Sequence, residues 1–206
     1  MITIVDSGIC NLGSVLAAIR RISAPAEVTT DPDVVRKARA ILLPGVGAFA
    51  DGMAALRKHG LVEPIVEAVA TGKPILGICL GMQLLAEASD EFGDHRGLGL
   101  IPGRVKKLPT VPGLRIPNIG WCDMDIRRGS TLFAGIGNGA PFYFVHSFHL
   151  VCAQPAHAAG SIAFGPSPVT VAVEHRNIFG AQFHPEKSQD AGLAFLANFA
   201  AHLARH

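Results

Sequence analysis

Pro74-Ile75-Leu76-Gly77-Ile78-Cys79-Leu80-Gly81-Met82-Gln83 is the stretch on which the fold turns. The apolar run over 74–78 reads as a buried strand and 82–87 reads as a helix, so the chain must turn within three or four residues between them. Glycines stand two positions either side of Cys79. A side chain presented on a sharp strand-to-helix turn needs neighbours without Cβ atoms, because the backbones approach closely there. Such a turn aims Cys79 out of the sheet, next to the amide of Leu80, which can donate to a developing oxyanion. A free cysteine by itself is a small buried hydrophobe. The flanking glycines single this one out.

The same texture continues outward. Strands are expected at 2–5, 26–29 and 40–43, and helices at 12–22, 34–38, 52–58 and 61–70. Uniformly apolar strands alternating with helices imply a parallel sheet covered on both faces. From about 98 to 173 the segments shorten between Pro and Gly. Those at 104–108, 141–145, 149–152 and 169–174 read as mostly antiparallel or mixed strands continuing or flanking the sheet. A strand over 178–183 and a helix over 190–204, with Leu193, Leu196 and Phe199 on one face, close the chain. The expected class is α/β, a mostly parallel central sheet flanked by helices with a mixed or antiparallel section in the second half. No repeat or low-complexity linker interrupts residues 1–206, so a single domain is expected.

With 206 residues, 49% hydrophobic and 17% charged, the chain can offset its ordering entropy by burial, which excludes disorder. Its longest mostly apolar stretch, 74–86, is shorter than the ~20 residues a membrane span needs. The opening Met-Ile-Thr-Ile-Val-Asp has no basic segment or cleavage pattern, so a cytoplasmic location is expected. A net charge of +2, scattered basic residues and 6% aromatics argue against nucleic acid. Cys10, Cys79, Cys122 and Cys152 form no Cys-x-x-Cys pair, which disfavours both disulfides and a structural zinc.

A thiol nucleophile needs a base. Phe183-His184-Pro185-Glu186-Lys187 follows the last strand, and in an extended segment residues i and i+2 point the same way. Glu186 can then accept from one imidazole nitrogen while the other faces the thiol, with Pro185 stiffening the spacing. Of the other histidines, His146, His149 and His175 compete for a role, and His59, His95, His157, His202 and His206 are expected in solvated positions. His146, in Tyr143-Phe144-Val145-His146-Ser147-Phe148, reads either as a binding residue or as a hydrogen-bonded core histidine. Leu43-Pro44-Gly45-Val46-Gly47-Ala48-Phe49 ends a strand, where open α/β sheets hold ligands. It can supply a second oxyanion donor or be a plain turn. The lysine and hydroxyl of a phosphate-binding loop are missing.

Gly-Ile-Cys-Leu-Gly-Met-Gln at 77–83 and Gln-Phe-His-Pro-Glu-Lys-Ser at 182–188 resemble the class I, triad-type glutamine amidotransferases. Pro-Gly-Val-Gly-Ala-Phe at 44–49, Asn11-Leu12 with Ser14-Val15, Gly120-Trp121 and the run 143–147 narrow the resemblance to the glutaminase subunits of imidazole glycerol phosphate synthase, in histidine biosynthesis. The resemblance implies that Cys79 attacks the side-chain amide of L-glutamine, His184 shuttles the proton and Glu186 orients it. It places the oxyanion amides at Val46 and Leu80, and substrate binding at Gly47, Gln83, Glu91, His146 and Ser147. Asn11, Trp121, Tyr143 and Lys187 would face a cyclase subunit of (β/α)8-barrel type. That partner forms a heterodimer with the glutaminase and uses its ammonia to make imidazole glycerol phosphate and AICAR. No cofactor, metal, nucleic acid or membrane is implied.

Isolated subunits of the resembled group are nearly idle, and a peptide flanked by glycines rotates cheaply. The amide of Val46 is therefore expected to point away from the oxyanion site in the free chain. Ser7 and Cys10 replace a Tyr and a Gly of the usual pattern, Asn118 and Cys122 a His and an Asn, and Ala181 a Thr. None is expected to touch the triad, and the first two pairs are expected near the interface. A glutaminase of another synthase, for anthranilate or pyridoxal phosphate, is opposed by the Pro-Gly-Val-Gly loop and the Tyr-Phe-Val-His-Ser run. A non-catalytic regulatory subunit is opposed by the intact Cys79, His184 and Glu186.

Overall fold

Ile2 to Val5 are all buried, and so are Ile41 to Gly45, Ile75 to Cys79 and Ile178 to Ala181. Strands that hide both faces belong at the centre of a covered sheet. The computed structural model, which describes residues 1–204, places them there. In chain order the elements begin β1 (Ile2–Val5), α1 (Leu12–Arg21), β2 (Ala26–Thr29), α2 (Pro32–Lys37), β3 (Ile41–Gly45), α3 (Phe49–Lys58) and α4 (Val62–Ala70). There follow β4 (Ile75–Cys79), α5 (Leu80–Leu84), β5 (Ala86–Ser89), β6 (His95–Arg96), β7 (Ile101–Lys107), β8 (Asn118–Ile126) and β9 (Pro141–His146). The chain ends in β10 (Phe148–Cys152), β11 (Ala158–Phe164), β12 (Ser167–His175), β13 (Ile178–Ala181) and α6 (Gln189–Ala204), with short 3-10 turns at Pro155–His157 and Pro185–Lys187.

The main sheet runs β2-β1-β3-β4-β13-β12-β11-β8-β9. Its first five strands are mutually parallel and the remainder antiparallel, as expected for the two halves of the chain. A second sheet, β10-β7-β5-β6, lies apart from it. Two apolar clusters separate the layers. One joins Ile4, Leu42, Leu76 and Ile78 of the sheet to Val15 and Ile19 of α1 and to Phe195 and Phe199 of α6. The other joins Val5, Ile41, Leu43 and Ile75 to Phe49, Leu56 and Ile65 of α3 and α4 and to Ile101, Val105 and Leu150 of the small sheet. Neighbours such as Leu42 and Leu43 go to opposite sides, as strand alternation requires. Among the described residues no helix is long and apolar enough to cross a membrane.

Gly45 lies opposite Cys79, and Ile78 opposite Ala181. The carboxyl ends of β3, β4 and β13 are therefore level. This brings the loops after them, and the loop from Asp6 to Asn11 after β1, to one edge of the sheet.

The structure departs from the sequence reading in several places. The helix expected over 82–87 starts at Leu80 and stops at Leu84. The amides of Leu100 and Ile101 both donate to the Leu85 carbonyl at 2.9 Å, which pulls the chain into β5 alongside β7. β5, β6, β8 and β11 answer to no expected segment. The strand expected over 178–183 ends at Ala181. His157 is buried, not solvated, with its ring 4.2 Å from that of His175. His202 packs edge-on against Phe179, and His206 lies outside the described residues.

Candidate active site

Cys79 adopts φ 55° and ψ −111°, a left-handed conformation rare for a residue with a side chain. Steric contacts explain its two glycines. A Cβ on Gly77 would lie 2.6 Å from the carbonyl of Gly81, and one on Gly81 would lie 1.8 Å from the carbonyl oxygen of Leu43. The thiol is thus raised on a closed turn at the end of β4, and the amide of Leu80 opens α5 beside it.

His184 is extended, but Glu186 is not. A 3-10 turn over Pro185–Lys187 brings the carboxylate back, which corrects the expected extended i, i+2 geometry. Glu186 Oε1 lies 2.8 Å from His184 Nδ1. The backbone around them is stitched to β9. The His184 amide donates to the Tyr143 carbonyl at 3.0 Å, and Ser188 Oγ donates to the His184 carbonyl at 2.7 Å while accepting from the Tyr143 amide at 3.0 Å. Burial pulls the His184 imidazole down, but hydrogen bonds with Cys79 and Glu186 and the charges of both outweigh it and hold the group at about 9.

A cleft of about 340 Å³ opens over this pair, lined by Cys79, Leu80, His184, Lys187, Val46, Gly47, Gln83, Glu91, His146 and Ser147. Glu186 stands behind His184, with a side chain only 3% exposed. Gln83 Nε2 donates to the Phe148 carbonyl at 3.1 Å and to Gln182 Oε1 at 3.0 Å. Glu91 Oε2 accepts from the amide of Phe49, the first residue of α3, at 2.7 Å. His146 is buried, with Nδ1 2.9 Å from the Phe148 carbonyl and Nε2 3.2 Å from Asn118 Nδ2. These partners assign the Nδ1–H tautomer, and burial drives the group down to about 4, so it is neutral. His146 is thus a hydrogen-bonded core histidine that also lines the cleft. His149 and His175 stay outside the cleft.

The Val46 amide donates to the Ile9 carbonyl at 2.8 Å. That peptide is engaged by the first loop, while Gly47 beside it sits at φ +102°. Trp121 and Tyr143 face each other across β8 and β9 with rings 5.8 Å apart, and Lys187 Nζ lies 5.9 Å from the Tyr143 ring. Together with exposed Val46, Ile119 and Val145 they form an apolar rim beside the cleft. Asn11 caps α1 at the same edge, accepting from the Ser14 amide at 3.4 Å.

Of the atypical positions, Ser7 and Ala181 are buried and Cys10 Sγ donates to Asp6 Oδ1 at 3.7 Å. Asn118 and Cys122 are 3.7 Å apart, and Asn118 contacts the cleft residue His146 at 3.2 Å. Pro117, Val145, Phe148 and Gln182 also line the cleft and were not singled out from the sequence. Gln182 Nε2 reaches to 3.8 Å from Cys79 Sγ. Its signal was there to read, because it lies two residues before His184 in a strand continuation. A larger hollow, about 530 Å³, lies at the opposite edge around Met1, Arg39 and Lys73 and contains none of these groups.

Residues 3–203 match the model of the glutamine amidotransferase class I family. The chain is 46% identical over its full length to 96% of the imidazole glycerol phosphate synthase subunit HisH of Moorella thermoacetica. It is 45% identical, over 97% of its length and 98% of the other's, to the subunit HisH of Syntrophotalea carbinolica. Among solved structures, a glutamine amidotransferase superposes with a TM-score of 0.76 at 17% identity, covering 100% of this chain and 99% of its own. The structure of PurLQS from Thermotoga maritima gives 0.76 at 20% identity, with 98% of each chain covered. The fold, the full-length family match and these relatives together show that the chain belongs to the class I glutamine amidotransferase family, in its HisH group.

Proposed function

We propose that the chain hydrolyses L-glutamine to glutamate and ammonia through a cysteinyl thioester and delivers the ammonia to a cyclase subunit. The observation that carries this reading is Cys79, held at φ 55° on its glycine-flanked turn and sharing one cleft with a His184 whose Nδ1 lies 2.8 Å from Glu186 Oε1. In the reaction the Cys79 thiol gives its proton to His184 as the sulfur attacks the side-chain carbonyl carbon of glutamine, and the carbonyl electrons move onto oxygen. The Leu80 amide donates to that oxyanion. His184 gives its proton to the amide nitrogen, the C–N bond breaks and ammonia leaves a γ-glutamyl thioester. His184, now neutral, takes a proton from water as the water attacks, and collapse of the second tetrahedral species frees glutamate and restores the thiol. Glu186 fixes the imidazole and stabilises its charged form. The cleft walls supply Gln83, Glu91, His146, Ser147 and Gly47 for the amino-acid end of glutamine.

The Val46 amide is the second oxyanion donor once its bond to the Ile9 carbonyl is released. One such donor is typically worth about 10²–10³ in rate, so release on docking would make ammonia production wait for its acceptor. The rim of Asn11, Trp121, Tyr143 and Lys187 is the docking surface for a (β/α)8-barrel cyclase, in a heterodimer that makes imidazole glycerol phosphate and AICAR. Cys79→Ala tests the reading. Glutamine hydrolysis should vanish, while the complex should still make its product from ammonium salts. Hydrolysis above an enzyme-free control would remove Cys79 from its role.

A further inference from the structure

Glu186 spends only one of its carboxylate oxygens on His184. The other, Oε2, is buried and has no hydrogen-bond partner among the described residues, in a side chain just 3% exposed. A buried carboxylate oxygen without a donor loses its hydration with no return. Two hollows adjoin Glu186. The outer one, about 200 Å³, opens between α1 and the start of α6, lined by Ser14, Arg21, Gln189 and others. The inner one, about 10 Å³, is a half-open niche with Asn11, Val15, Pro44, Val46, His184 and Glu186 among its walls. That is the room one water needs, roughly 10–15 Å³, and a buried water also needs two or more polar partners. The inner hollow offers them in Glu186 itself, the Asn11 side-chain amide and the backbone of Pro44 to Val46.

We infer that this inner hollow is a single-water site, in which one water donates to Glu186 Oε2 and is held on its far side by Asn11, making Asn11 a positioning residue for the triad carboxylate. Asn11 closes the loop whose Ile9 carbonyl holds the Val46 amide. The loop from Asp6 to Asn11 thus grips the site at two points, the second oxyanion donor directly and the triad carboxylate through the water. A displacement of this one loop would alter both together. The inference rests on the proposed glutaminase role of Cys79, His184 and Glu186. The charged or titratable groups around the carboxylate are His184 on its own turn, Cys79 at the end of β4, Arg21 of α1 across the outer hollow, and Lys187, which leans over Tyr143.

Two measurements on the isolated full chain test this. A crystal structure at about 1.5 Å resolution should show an ordered water within hydrogen-bond distance of both Glu186 Oε2 and the Asn11 side chain. A dry oxygen, or one partnered instead by Arg21 or Gln189, overturns the inference. The second is the pH dependence of Cys79 alkylation by iodoacetamide in the wild type and in Asn11→Ser, which adds no charge. Ser caps a helix as well as Asn does but is too short to hold the water, so a purely capping role predicts no change. Loss of the water should leave the Glu186 carboxylate a stronger acceptor for His184, shifting the profile upward by about half a unit. An unmoved profile, with α1 intact by circular dichroism, overturns the positioning role. Failure of the chain to hydrolyse glutamine in complex would sink the proposed function alone, since the water remains visible by crystallography.

Discussion

His146 and His184 lie in one cleft, yet burial decides the first and hydrogen bonding the second. His146 falls from 6.5 to about 4, so the unfolded chain binds its proton more readily, and this histidine costs stability as pH falls from 6.5 toward 4. His184 rises from 6.5 to about 9, so its contribution is complete below 6.5 and is lost as pH climbs to 9. At about 1.4 kcal/mol per unit, each limb is on the order of 3 kcal/mol. Urea unfolding from pH 4 to 9 should therefore show a maximum near 6.5. His146→Asn, which keeps a donor for the Phe148 carbonyl, should flatten the acid limb, and an acid limb identical to the wild type's would contradict the burial account. At this scale the sequence was most informative where backbone sterics leave a trace. Cys79 announced itself because only glycine fits at 77 and 81. Gln182 was legible only through its spacing from His184, and Asn118 was not, because its place beside His146 comes from the strand opposite and no local pattern records that.

The turn from β4 into α5 stores strain that its glycines make possible but do not relieve. A non-glycine residue in the left-handed region costs of order 1–2 kcal/mol, so Cys79→Gly should melt above Cys79→Ala, by several degrees. Equal melting temperatures would mean the turn is not strained at that residue. Gly81→Ala should fail to fold or lose several kcal/mol, since its Cβ would sit 1.8 Å from a main-chain oxygen, whereas Gly47→Ala meets nothing within 4 Å and should keep the fold at the cost only of its φ of +102°. Thermal unfolding of the three proteins checks both. Elements buried on both faces, β1, β3, β4 and β13, were plain in the sequence as continuous apolar runs. β8 was not, because Asn118 to Ile126 has one exposed face and reads Asn-Ile-Gly-Trp-Cys-Asp-Met-Asp-Ile, with little to mark it beyond alternation. The short α5 was overextended because Leu84 and Leu85 continue its apolar period, and only pairing with β7 ends it.

For the molecule as a whole, the cleft and the apolar rim share one edge of the sheet, which is where the parallel half meets the loops that β8 and β9 overhang. An exposed, edge-on Trp121–Tyr143 pair is the kind of aromatic anchor that carries interface energy. Trp121→Ala should weaken cyclase binding by about 2 kcal/mol, some thirtyfold in Kd by titration calorimetry, and an unchanged Kd would move the docking surface elsewhere. Neither the rim nor the layering was readable from composition. Both follow from the crossover order of the sheet, which long-range contacts set. The pairing of β8 with β9 has one further consequence. Asn118, Gly120 and Cys122 lie opposite His146, Phe144 and Phe142, while Ile119 and Trp121 lie opposite Val145 and Tyr143. Odd positions look outward and even positions look inward on both strands, except that Val145 belongs to the cleft lining as well as to the rim. Ile119 and Trp121 can thus be exchanged without touching the cleft lining, whereas Val145 cannot. A single-residue insertion between Asn118 and Trp121 would instead put the two out of phase, so that one keeps its face only if the other is turned to the wrong one.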